Sequence, residues 1–266
     1  MPRHRLPHRL IWLVILILVI WLGWRWLGHS GSSHSSGSGG GGSAAARTGS
    51  SGSVFNKKQY SIDQAGSLWV IVNKARVLPS TYVPANLVTP NVPLRLAATD
   101  PEMHMRADAA AGLERLVAGA HAAGVNLRVS SGYRSYADQA QLYQYYVATQ
   151  GSNLADESSA RPGHSEHQTG LAVDVAPTSG ACDIQQCFSM TPEGQWLAAN
   201  AYKYGFIVRY QNGSQPITGY EFEPWHIRFV GTDLAAQLYS KNQTMEQFFG
   251  LPPAPNYAAA PKQLSQ

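Results

Sequence analysis

The sequence predicts an α+β domain, a small antiparallel sheet with flanking helices, preceded by an N-terminal transmembrane helix. Three observations predict it. Strand-like and helix-like stretches mix without strict β–α–β alternation, which favours an antiparallel sheet over a parallel one. No internal repeat is present. The chain is 44% hydrophobic and 10% aromatic, enough to bury a core.

The elements follow in order. Residues 68–73 (LWVIVN) read as a strand, and Pro79, Pro84, Pro90 and Pro93 then punctuate an extended stretch. Across 105–123, Ala109, Leu113, Leu116, Val117 and Ala120 recur at three- and four-residue spacing, the pattern of a helix with one apolar face. Gly124 stops that helix. Residues 126–131 (NLRVSS) predict a strand that ends at Gly132-Tyr133-Arg134. A second helix is expected over 136–149, with Gly151 as its terminator. Further strands are expected at 170–175, 206–210 and 225–230, and further helices at 192–204, ended by Gly205, and at 232–240.

The ends of the chain differ from this body. Residues 10–22 are an unbroken apolar run, extended by Trp24, Trp26 and Leu27 and preceded by Arg3, Arg5 and Arg9. A basic front and an apolar stretch of this length suit an uncleaved signal anchor at 1–27, with the front in the cytoplasm and the rest exported. The rival reading is a cleaved signal peptide, but no small-residue cleavage site follows directly. Residues 28–53 hold 9 Gly and 10 Ser among 26, a flexible tether in which His29 and His34 are solvated. The folded domain is expected over 54–250, and the Pro/Ala-rich stretch 251–266 is expected to be disordered. The net charge of +4 equals the four arginines of residues 1–28 (Arg3, Arg5, Arg9 and Arg25), which carry no acid. The body is therefore balanced, which argues against a nucleic-acid partner. Cys182 and Cys187, in GACDIQQCF, suit a short disulfide-closed loop in an exported domain; a metal pair would need further ligands near by.

Three segments carry the chemistry. In Ser165-Glu166-His167-Gln168-Thr169-Gly170-Leu171-Ala172-Val173-Asp174, strand alternation sends Leu171 and Val173 to the core and Gly170, Ala172 and Asp174 to the other face. The two small residues leave space beside the carboxylate. A buried Asp174 needs a cation or donors, and a metal would satisfy both it and His167. In Glu221-Phe222-Glu223-Pro224-Trp225-His226, His226 supplies a third ligand. Two imidazoles, one carboxylate and an open position match a catalytic zinc site, with one zinc ion per chain. Glu223 is then the general base, and later the acid toward the leaving amine. Residues three apart on a regular strand face opposite ways, so Glu223 and His226 require a bend, which Pro224 makes plausible. In Ser130-Ser131-Gly132-Tyr133-Arg134, Arg134 sits where a strand meets a helix and suits a substrate carboxylate or an oxyanion. The rivals are weaker. His164 is a competing ligand, Glu221 a competing base, and Glu166 and Arg161 read as rim residues.

SGYRSYADQ, SEHQTGLAVD and EPWHIRFVG together resemble the zinc D-alanyl-D-alanine carboxypeptidases of the VanY type, whose pattern is SxHxxGxAxD followed by ExxH. The likeness covers about residues 65–240. It implies the fold shared with the hedgehog signalling domain. It also implies His167, Asp174 and His226 as zinc ligands, Glu223 as base, and Arg134 near the substrate carboxylate. Gln139, Ser165 and Tyr210 match positions that contact the substrate's terminal residue. The implied activity is hydrolysis of the terminal D-Ala-D-Ala bond of peptidoglycan stem peptides by a monomer at the bacterial cell membrane, with the catalytic domain outside the cytoplasm. The same ligands serve L,D-carboxypeptidases and endopeptidases, and a silent metal- or wall-binding module is the reading from another class.

Overall fold

The computed structural model describes residues 55–266. The expected anchor at 1–27 and the Gly/Ser stretch at 28–53 lie outside the described residues. Among those described, no helix is long and apolar enough to cross a membrane.

Four strands form the main sheet: β1 (Leu127–Ser131), β2 (Ala172–Pro177), β3 (Phe206–Tyr210) and β4 (Glu223–Phe229). Their order in space is β1-β2-β4-β3, and every pairing is antiparallel. The α-helices of five residues or more are α1 (Ala107–Ala122), α2 (Tyr136–Gln150), α3 (Ser152–Ser158), α4 (Pro192–Asn200), α5 (Thr232–Lys241) and α6 (Met245–Phe249). The chain is α+β with small sheets, as its residue patterns indicate.

Alternation along β2 separates a greasy face from a polar one. Val173 and Val175 lie opposite Ile227 and Val129, and all four join Leu113, Leu116 and Ala120 of α1 in the main core. On the other face Asp174 is opposite Ser131 on β1 and His226 on β4. Directly opposed residues share a face, so the register puts these three polar side chains in one row.

The ladder between β3 and β4 is irregular. Val208 pairs with Ile227, but Tyr210 pairs with Glu223, so two steps on β3 span four on β4. The extra residues bend β4 around Pro224, which has no N–H to give the ladder. This bend brings Glu223 onto the side of His226, the geometry that regular alternation forbids.

Two expectations fail. Residues 68–73 do not form a strand, although Trp69, Val70, Ile71, Val72 and Asn73 are all buried. Trp69 and Ile71 enter a second apolar cluster with Leu234, Leu238, Met245 and Phe248, while Val70 and Val72 enter the main core. Side chains satisfy much of this backbone: Arg228 donates to the carbonyls of Leu68 and Val70, and Arg76 to that of Ile71. Alternating burial thus looks like a strand in sequence, but buried arginines take the carbonyls that a neighbouring strand would have bonded.

The stretch 251–266 is not disordered. It belongs to the unit Val54–Gln266, and Lys262–Gln263 pairs in parallel with Arg76–Val77. Ala254 and Leu264 are buried. Composition hid this because only a few apolar residues anchor the segment, and its backbone bonds go to distant partners such as Val77 and Asp63. Leu264 sits in the main core. Leu264→Ala should therefore lower stability by about 2–5 kcal/mol, read from denaturant midpoints. A change under about 0.5 kcal/mol would show that the segment adds nothing to the fold.

Candidate active site

Each site side chain is held by a local feature of the chain. His167 lies in a 3-10 turn, Glu166–Thr169, that leads into β2. Its Nδ1 is 2.6 Å from the carbonyl of Gly132, which orients the ring. Gly132 cannot carry a side chain, because a Cβ there would lie 2.5 Å from the carbonyl oxygen of His104. Gly170 closes the 3-10 turn in the left-handed conformation, φ 68°. Its smallness thus serves the turn and its close approach to Arg106 rather than space beside Asp174.

His167, Asp174 and His226 are buried together, and one ligand atom from each lies within 4.8 Å of the others. Asp174 Oδ1 is 3.0 Å from His226 Nδ1, and Asp174 Oδ2 is 3.4 Å from His167 Nε2. Glu223 Oε2 is 3.8 Å from His226 Nδ1. These donors fit a divalent metal: two imidazole nitrogens and one carboxylate converge in a buried pocket. His164 stands apart, with Nδ1 2.8 Å from the carbonyl of Asn73 and its ring against Tyr257.

The cluster lies in a cleft of about 290 Å3, also lined by Arg134, Gln139, Ser165, Tyr210 and Glu223. Arg134 is fixed by two bonds, Nη1 to Gln139 Oε1 at 3.1 Å and Nη2 to Ser131 Oγ at 2.7 Å. Gln139 is in turn held by the carbonyl of Ala160, 2.7 Å away. Arg134 forms no ion pair among the described residues, so its charge stands ready for an incoming carboxylate. Ser165 is buried at the head of the 3-10 turn, and the Tyr210 ring centre is 5.0 Å from that of His226. All the site residues named from sequence therefore meet in one cleft, except the cysteines. Cys182 and Cys187 are bonded to each other, and Ile184 of their loop reaches the cleft.

Residues 102–232 match the VanY family, D-alanyl-D-alanine carboxypeptidase. The putative carboxypeptidase YodJ of Bacillus subtilis is 38% identical over 71% of this chain and 69% of its own. The chain belongs to the VanY family. Among solved structures, the LD-carboxypeptidase LdcB is similar with a TM-score of 0.67 and 36% identity, over 75% of this chain and 89% of that one. A variant of the vancomycin-resistance D,D-pentapeptidase VanY, solved in complex with Zn(II), is similar with a TM-score of 0.55 and 30% identity, over 68% and 97%. This VanY-family chain is a peptidase of the carboxypeptidase type.

Electrostatics match the arrangement. Burial keeps the His167 pKa below its ordinary value, so the ring is neutral and able to ligate. Burial also opposes charge on His226, but Asp174 and Glu166 outweigh it and raise its pKa to about 9. Metal binding there would displace a proton. Burial opposes charge on Asp174 as well, yet His167 and His226 hold it well below the usual carboxylate range. Glu223 is pushed up to about 8, chiefly by burial, with Asp174 adding to the rise. A group that exchanges protons near neutrality suits general acid–base work.

Sequence reasoning missed the support beneath this cluster. Glu166, expected at the rim, is buried, as are Arg209, Arg228 and Glu246. A signal existed: Arg209 and Arg228 interrupt the apolar strands FIVRY and WHIRF. Charges there must find buried partners.

Proposed function

We propose that this VanY-family chain is a zinc-dependent carboxypeptidase that removes the terminal D-alanine from peptidoglycan stem peptides ending in D-Ala-D-Ala. It acts outside the cytoplasm, tethered through residues 1–27. The observation that carries this reading is the buried His167, Asp174 and His226 cluster, with Glu223 beside it and, in the same cleft, Arg134, which has no ion-pair partner among the described residues. His167, Asp174 and His226 would hold the metal. Bound zinc would lower the pKa of a water to about 7 and polarise the scissile carbonyl.

The chain's own groups do the rest. Glu223 takes a proton from the attacking water and returns it to the leaving amine, a role its raised pKa allows. Arg134 pairs with the free carboxylate that marks a C-terminal residue, and Gln139 and Ser131 keep its fork in place. Ser165 and Tyr210 line the space for that terminal residue.

A second reading is L,D-carboxypeptidase activity, which removes D-alanine from a tetrapeptide. The likeness to LdcB favours it. The purified full chain, loaded with zinc, should be offered pentapeptide, tetrapeptide and crosslinked muropeptides, with products read by mass spectrometry. Loss of one D-alanine from the pentapeptide is expected. Cleavage of the tetrapeptide alone would select the L,D reading, and cleavage of none would leave a binding module.

A further inference from the structure

Beneath the cluster lies a chain of buried charges that the reaction does not consume. Glu166 has no exposed side-chain surface, and neither do Arg209 and Arg228, which pair with it, nor Glu246, which pairs with Arg209. Arg209 Nε and Arg228 Nη1 both donate to the same oxygen, Glu166 Oε1, at 2.9 and 2.8 Å. Arg209 also grips Glu246 with both terminal nitrogens, at 3.0 and 2.7 Å, and Asn73 Nδ2 donates to Glu246 Oε1 at 3.0 Å. Asn73 and Glu246 both lie outside residues 102–232, the span that matches the family.

The second oxygen is the informative one. Two arginines would satisfy a purely structural carboxylate through both of its oxygens. Here, among the described residues, Glu166 Oε2 has no hydrogen-bond partner, and neither does His226 Nε2, yet the two face each other at 3.6 Å. A shift of about half an ångström makes that a hydrogen bond. A carboxylate can only accept, so Nε2 must carry the proton. Nδ1, which faces Asp174 Oδ1 at 3.0 Å, is then the nitrogen whose lone pair a metal would take as it displaces the second proton. His167 is set the other way round: its Nδ1 faces the Gly132 carbonyl, and its Nε2 faces Asp174.

We propose that Glu166 is a positioning residue for the metal site: it accepts a hydrogen bond from the Nε2–H of His226 and fixes the tautomer that offers Nδ1, while Arg209 and Arg228 hold Glu166 in place and Glu246 anchors Arg209. This rests on the metal reading above. It assigns the Glu of the SEHQ segment, and through it residues 73 and 246, to the support of one ligand. Outer partners of this kind are worth about 10–100-fold in metal affinity.

Nitrogen-detected NMR of histidine-labelled full chain loaded with zinc reads the tautomer directly. The expected result is a protonated, slowly exchanging Nε2 on His226 and a protonated Nδ1 on His167. Glu166→Gln should then weaken zinc binding about 10–100-fold in chelator competition. It should also speed exchange of the His226 Nε2 proton while the His167 signals stay in place. If Glu166→Gln does not fold, the wild-type tautomer alone decides. Zinc on His226 Nε2, or a folded Glu166→Gln with unchanged zinc affinity, would overturn the inference and leave the metal reading standing. No zinc uptake by the wild-type chain would overturn both.

Discussion

Glu223→Ala should abolish nearly all D-alanine release, with a loss of about 10^2–10^4-fold in kcat, the usual contribution of a positioned acid–base group. The same variant should keep one zinc per chain by elemental analysis. Its melting temperature should not fall. The Glu223 side chain makes no hydrogen bond among the described residues; burial opposes its charge, His226 at 3.8 Å favours it, and Asp174 repels it. Removing a buried carboxylate from beside another relieves repulsion. Loss of zinc together with activity would mean that Glu223 is a ligand rather than a base. Retained turnover would move the proton transfer elsewhere, with Glu221 the first alternative.

Arg209→Ala should cost about 3–5 kcal/mol of stability, the penalty for leaving buried charge unpaired. Two carboxylates each lose a charged donor at once, leaving Glu166 with Arg228 and Glu246 with Asn73. The loss should depend on pH in a defined direction. Burial pushes the Glu246 pKa up, but Arg209 and Asn73 outweigh this and hold it below its ordinary value of 4.5. A carboxylate with a lowered folded-state pKa stabilises above its unfolded value, and that stability fades as pH falls through the folded one. The gap between wild type and Arg209→Ala should therefore be full above about pH 5 and narrow below it. Urea unfolding at pH 7 and pH 3.5 reads both values. A gap that stays constant with pH would assign the cost to lost packing instead.

The two variants probe different layers of one site, and they differ in how plainly the sequence announced them. Glu223 stands in a motif with His226, and the role proposed for it comes from residue types and spacing. Arg209 carries no motif. Its only signal is a charge inside an apolar strand, which says that a partner exists without saying where. The partners come from residue 166 and residue 246, far apart in the chain. Only folding brings them to one point.

The same division runs through the rest of the molecule. Apolar periodicity and Gly124 placed α1, and Gly151 bounded α2, each within a few residues, because those signals are local. Residues 68–73 misled because alternating burial does not require a ladder, and here arginine side chains take several of the carbonyls. Residues 251–266 misled because their order depends on partners about 190 residues earlier, such as Arg76 and Val77.

By itself the sequence named the residues that meet in one cleft, and the α+β class. Each rests on residue chemistry or on a period of two or 3.6, which any short window contains. Tertiary structure alone decided that Ser131, Asp174 and His226 share one row, since strand register is a long-range property. It alone decided which nitrogen of each histidine faces Asp174, since that depends on what stands behind each ring: the Gly132 carbonyl in one case and the buried Glu166 in the other.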